Sequence, residues 1–169
     1  MGDPKKPRKR YESPRKPWDP ELMETELKLI GEYGLKNRKE LRSIESLLRK
    51  IRTVARSTYA LPGSERMEKT GELISRLRRR GLIGEKGTID DVLRLSLEHF
   101  LNRRLQTVLY KKGLARSIHQ ARQLVVHGHV VVGDRVVRKP SKLLSQEEES
   151  AVVLSPKSPL SRKEHPIWA

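Results

Sequence analysis

The sequence predicts an α+β fold: a mainly helical body, a compact module made of a helix hairpin and a small antiparallel sheet, and extended termini. Three observations carry this. Apolar residues recur at three- and four-residue spacing in successive segments from Leu22 to Val125, each bounded by a cap or a glycine. After Gly128 the pattern changes to Val130-Val131-Val132, a Gly133-Asp134 turn and Arg135-Val136-Val137, a two-residue hairpin signal. Residues 1–20 place Pro4, Pro7, Pro14, Pro17 and Pro20 among Lys5, Lys6, Arg8, Lys9, Arg10, Arg15 and Lys16, a composition that stays extended until a partner orders it. With 169 residues and 35% hydrophobic content, there is room for one or two small cores. The boundaries that follow are an arm at 1–20, a helical body at 21–102, the module at 103–155 and a tail at 156–169.

Charge names the class of partner. Lys plus Arg number 37 against 21 Asp plus Glu, a net charge of +16 and a pI near 10.4, which points to nucleic acid. Aromatic residues make up only 4%. That scarcity argues against stacking of single-stranded bases and for contacts to phosphates and to the shape of folded RNA. In the arm, Lys5, Lys6, Arg8, Lys9 and Arg10 are candidate phosphate contacts, and Tyr11 and Trp18 need a surface to pack on, whether RNA or the chain's own helices.

Asp19-Pro20 opens the first helix, with aspartate as cap and proline at the first position; Leu22, Met23, Leu27, Leu29 and Ile30 form its apolar side and Gly34 ends it. Asn37 and Glu40 cap a longer helix whose stripe is Leu41, Ile44, Leu48, Ile51 and Ala55. Arg38, Arg42, Arg49, Arg52 and Arg56 lie off that stripe and are candidate RNA contacts. Beyond the turn at Leu61-Pro62-Gly63-Ser64, a helix bearing Leu73, Ile74 and Leu77 ends in Arg76, Arg78, Arg79, Arg80 and Gly81. The helix dipole favours cations there by only about 0.3–1 kcal/mol. So many arginines in one turn repel one another, and a phosphate partner explains them better, with Arg76, Arg79 and Arg80 as candidates. Thr88 and Asp91 form a capping box that opens one helix burying Ile89, Val92, Leu93, Leu97, Phe100 and Leu101.

The module begins at Arg103. Between Arg103 and Ser141 the only acid is Asp134, against Arg103, Arg104, Lys111, Lys112, Arg116, Arg122, Arg135, Arg138 and Lys139. Gly113 ends its first helix; Ser117 and Gln120 make a capping box, so the second starts near Ile118. Ala121, Leu124 and Val125 share the buried face, Arg122 and His119 point elsewhere, and Gly128 stops the helix. A further strand at Ala151 to Leu154 extends the sheet.

This order of helix, capped helix, His127-Gly128-His129-Val130 and hairpin ending in Lys139-Pro140-Ser141 resembles the S-four RNA-binding domain. Outside the module, Gly2-Asp3-Pro4-Lys5-Lys6-Pro7, Arg10-Tyr11-Glu12, Pro14 and Pro17-Trp18 resemble the opening of the archaeal small-subunit ribosomal protein S-four family. The resemblance implies direct binding of small-subunit ribosomal RNA early in assembly, at a junction in its first domain. It also implies a place beside the fifth small-subunit protein near the messenger entry path, with a role in translational accuracy. By motif, Arg103, Arg104, Arg116, Ser117, His119, Arg122 and Gln123 are the module's RNA-binding residues.

Other functions fit less well. Without residues 103–155 the flanks hold no glycine-rich phosphate loop, nucleophile elbow or metal-ligand cluster, so neither an enzyme nor a cofactor is expected. The alternatives are an RNA-modifying enzyme or a ribosome-rescue factor using the same module. A DNA-binding helix-turn-helix is weaker, because a strand hairpin directly after the second helix is not part of its minimal form. With no cysteine, disulfides and thiolate metal sites are ruled out, including the zinc cluster of some bacterial family members. His127 and His129 lack a third ligand. Glu147, Glu148 and Glu149 are expected in an exposed loop. No apolar run approaches the roughly 20 residues that span a bilayer, and a cytoplasmic setting is expected.

Overall fold

A computed structural model describes residues 9–161; Lys5, Lys6, Arg8 and the closing Pro166-Ile167-Trp168-Ala169 lie outside them. The body comprises α1 (Pro20–Glu32), α2 (Arg38–Thr58), α3 (Gly63–Arg79), α4 (Ile89–Arg94) and α5 (Leu97–Asn102). The module comprises α6 (Leu105–Lys111), α7 (Ile118–Val126), β1 (Val130–Val132), β2 (Arg135–Val136), α8 (Gln146–Ser150) and β3 (Val152–Leu154), followed by a 3₁₀ turn at Pro159–Ser161.

Two apolar clusters organise these elements. The body core gathers Leu41, Ile44, Leu48 and Ala55 of α2 with Leu73 and Leu77 of α3, Val92, Phe100 and Leu101. Leu41, Phe100 and Leu101 are fully buried, each contributing about 1.5–3 kcal/mol by leaving water. The module core gathers Leu105, Val108 and Leu109 with Ala121, Leu124 and Val125 of α7, Val130, Val132, Leu144 and Val152. Its sheet has the order β2-β1-β3, antiparallel throughout. Val131 pairs with both Val136 and Val153, so the alternate residues Val130, Val132 and Val152 are the ones buried under it. In the hairpin turn only Gly133 has positive φ, at +62°, the arrangement in which the first turn residue must be glycine.

Four expectations change. The single helix from Thr88 is two: Leu95 is extended at ψ 127° and Ser96 starts α5 afresh, its backbone N–H reaching His99 Nδ1 at 3.2 Å. The Leu95 carbonyl freed by that break accepts from Arg52 Nη2 at 2.7 Å. Glu147 to Glu149 are helical rather than looped, because Ser145 accepts from the Glu148 N–H and the Glu148 carboxylate from the Ser145 N–H, both at 3.1 Å. Leu27 does not join the apolar side of α1; it is exposed, and Glu26 takes the buried place. The arm is not wholly without a protein surface. The Glu12 N–H donates to Ser46 Oγ at 3.1 Å, Arg49 pairs with Glu12, and Tyr11 is half-buried, whereas Trp18 stays exposed.

The module closes on itself beside the body. The Leu105 N–H donates to the Lys142 carbonyl at 2.8 Å and the Leu144 N–H to that of Arg103 at 3.0 Å. Arg104 and Leu143 form an antiparallel bridge between them. The segment after the hairpin is thus tied to the start of α6, where body and module meet.

Candidate nucleic-acid interface

The seam is built around one carboxylate. Glu40, in the first turn of α2, receives Arg104 Nη2 on Oε2 at 2.7 Å. Arg122, from α7, forks onto the same carboxylate, Nη2 to Oε1 at 2.6 Å and Nη1 to Oε2 at 3.2 Å. Burial raises the pKa of Glu40, yet the hydrogen bonds and charges of Arg122 and Arg104 outweigh it and hold the carboxyl below its usual range. For Arg104, burial lowers the pKa against the pull of Glu40. Gln106 completes the seam: its amide nitrogen donates to the carbonyls of Tyr33, Gly34 and Ile118 at 3.2, 2.9 and 3.1 Å. Gly34 sits so close that a Cβ there would lie 2.7 Å from Gln106 Nε2 and 2.8 Å from Ile118 Cγ2, at a φ of +56° that side chains disfavour.

Several candidates therefore face inward. Arg104 is 1% exposed and Arg122 only 20% at the side chain. Arg42 bonds Glu26 through Nε at 3.0 Å and Nη2 at 3.3 Å, with Arg38 Nε 3.4 Å from the same carboxylate. Arg103 pairs with Glu149 and Arg52 holds the Leu95 carbonyl, whereas Arg49, though paired with Glu12, is exposed. Arg56 is exposed beside Thr53.

Two groups face outward. Arg116 just before the cap of α7, and His119 and Gln123 on the helix itself, are exposed, with Ser117 at the cap. The Ser117 hydroxyl accepts from the Gln120 N–H at 3.2 Å, and Gln120 Oε1 accepts from the Arg116 N–H at 2.6 Å, so the glutamine reaches one residue past the cap. Arg135 in β2, and Arg138 and Lys139 beyond the hairpin, are also exposed. On the body, Arg76 and Arg79 are exposed and Arg80 half-exposed; among the described residues none of the three makes an ion pair. Arg76 and Arg80 flank a groove between α2 and α3 together with Lys50. Lys50 also borders a wider groove lined by Arg10, Tyr11, Lys39, Ser43, Arg104 and Ser141. The two grooves form a basic track from the arm across α2 to the end of α3.

Sequence reasoning missed Glu40 and Gln106 as seam residues and Lys39 and Lys50 as groove cations. Glu40 was legible only as a capping residue, because its partners lie 64 and 82 residues away. Among the described residues no group of three or more His, Cys, Asp and Glu could hold a metal ion. The rings of His127 and His129 are 6.3 Å apart, and His129 Nδ1 is bonded to Ser158 Oγ at 2.9 Å. No described helix is long and apolar enough to cross a membrane.

A helix hairpin leading into a small antiparallel sheet, with Arg116 just before its second helix and His119 and Arg122 on it, defines the class, and residues 103–150 match the S4 domain. Over 163 residues the chain is 49% identical to the small ribosomal subunit protein uS4 of Hyperthermus butylicus, covering 96% of this chain and 93% of that protein. The same protein of Sulfurisphaera tokodaii is 48% identical over 167 residues, 98% of this chain and 93% of its own. That of Ignicoccus hospitalis is 46% identical over 163 residues, 96% and 98%. The chain belongs to the family of small ribosomal subunit protein uS4, as the resemblance in the arm and module implied.

Proposed function

We propose that this chain is a structural constituent of the small ribosomal subunit, binding small-subunit ribosomal RNA directly and helping to nucleate its folding. The observation that carries this is kinship over nearly the whole chain with proteins named small ribosomal subunit protein uS4. The S4 domain at 103–150 and the net charge of +16 support RNA as the ligand. No enzymatic role is assigned. In this reading the phosphate contacts are Arg116, Ser117, His119 and Gln123 on the module, and Arg56, Arg76, Arg79 and Arg80 on the body. Lys5, Lys6, Arg8, Lys9 and Arg10 of the arm join them. Arg103, Arg104, Arg122, Arg38, Arg42 and Arg52 are assigned chiefly to holding the protein together, while the exposed Arg49 stays among the phosphate contacts. Neighbouring small-subunit proteins, the fifth among them, and messenger RNA at the entry path are the further partners, with an influence on translational accuracy.

The test is retention of a small-subunit ribosomal RNA fragment at roughly 0.2 M salt, where nonspecific phosphate binding fades, against excess transfer RNA and duplex DNA. Selective retention is expected. Equal loss to every competitor would reduce the chain to a generic basic protein, and preference for transfer RNA would favour a modifying or rescue role.

A further inference from the structure

We propose that Glu40 is a positioning residue that locks the body and the module into one rigid RNA-reading unit. Its carboxylate is the point where helices from both halves converge, since it belongs to α2 and binds Arg104 before α6 and Arg122 in α7. Gln106 binds the backbone on both sides of the same seam, and Gly34 lets the two halves approach. On a chain of net charge +16, an acid at such a place weakens attraction to any RNA. Its contribution must lie in geometry instead. It holds α7, with His119 and Gln123 exposed on it and Arg116 just before its cap, at a fixed angle to the groove flanked by Arg76 and Arg80. Two surfaces held at a fixed separation bind one folded RNA more tightly than two loosely joined ones, because the second contact forms at high effective concentration.

The RNA half of this inference rests on the ribosomal reading; the mechanical half does not. Because the chain has no cysteine, spin labels at Glu68→Cys on α3 and Asp134→Cys in the hairpin turn are unique, and both positions are exposed and remote from the seam. Pulsed dipolar spectroscopy of the full chain should give one narrow distance for the otherwise native protein and a broadened one for Glu40→Gln. Should Glu40→Gln fail to fold by circular dichroism, Arg122→Lys replaces it, keeping the charge but losing the two-nitrogen fork. An unchanged width would overturn the lock.

Binding supplies a second reading with an opposite sign. Charge alone makes Glu40→Gln bind both a small-subunit ribosomal RNA fragment and transfer RNA more tightly. Loss of positioning makes it bind the ribosomal fragment about tenfold more weakly while transfer RNA binding holds or tightens. Equal tightening for both would overturn the proposal. If the native chain shows no preference for the ribosomal fragment, the functional reading fails, and the distance widths still decide whether Glu40 is a lock.

Discussion

The body and the module are both basic, yet they use their arginines differently. At the end of α3, Arg76, Arg79 and Arg80 crowd one turn with no carboxylate against them among the described residues. In the module, Arg104 and Arg122 lie in a segment almost without acids and are nevertheless both paired, by a single glutamate that the body provides. The difference teaches that a local excess of positive charge does not identify a binding face. What matters is whether an acid distant in sequence is brought to it, because burial of an arginine costs several kcal/mol unless an anion and hydrogen bonds accompany it.

The sharpest way to break the comparison is through the two cores. Phe100→Ala in the body should cost about 3–5 kcal/mol and Leu109→Ala in the module about 2–5 kcal/mol, both side chains being fully buried. Urea unfolding followed by circular dichroism measures both. If the seam couples the halves, each variant shifts one common transition; two separate transitions would mean independent domains. Next in size is Gly34→Ala, expected to cost more than about 1 kcal/mol, from its φ of +56° and the clash with Gln106 and Ile118. The same substitution at Gly63, where nothing lies within 4 Å, is the control.

Acid titration sharpens the comparison at the seam. The folded pKa of Glu40 lies below its ordinary 4.5, so its pairing contributes stability above pH 4.5 that is lost as pH falls through the folded value. Glu40→Gln should be less stable near neutrality and show a flatter stability profile below about pH 4.5, read from urea midpoints at each pH. The smallest effect on stability belongs to Arg76, Arg79 and Arg80: replacing all three with Gln should change the unfolding free energy, read from urea unfolding, by no more than about 0.5 kcal/mol per site. It should, however, lower the salt slope of RNA binding by about 0.7–0.9 per lost phosphate contact. An unchanged slope would remove them from the interface.

Much of the fold was legible because its signals are local. Asn37 with Glu40, Ser117 with Gln120, the stripe of α2 and the Gly133 turn each involve residues within a few positions of one another. Ser145 with Glu148 was equally readable, and the run of acids concealed it. The break at Leu95-Ser96 was harder, since apolar spacing continues across it and the extended carbonyl is satisfied by Arg52, 43 residues earlier. Among the candidate RNA contacts, Arg116, His119 and Gln123, named by the motif match to the family, are exposed. The motif failed to separate them from Arg104 and Arg122, whose environment depends on a three-dimensional meeting with Glu40. Nor did it find Lys50, which earns its place only through the grooves on either side of α2.

The seam also has a consequence in time. Chains emerge from their N-terminus and tend to fold as they emerge, and the residues of the body core from Leu35 to Leu101 are synthesised before either of Glu40's arginine partners. Arg104 appears 64 residues after Glu40 and Arg122 82 residues after it. The join between the halves therefore becomes possible only after every buried residue of the body core has been made.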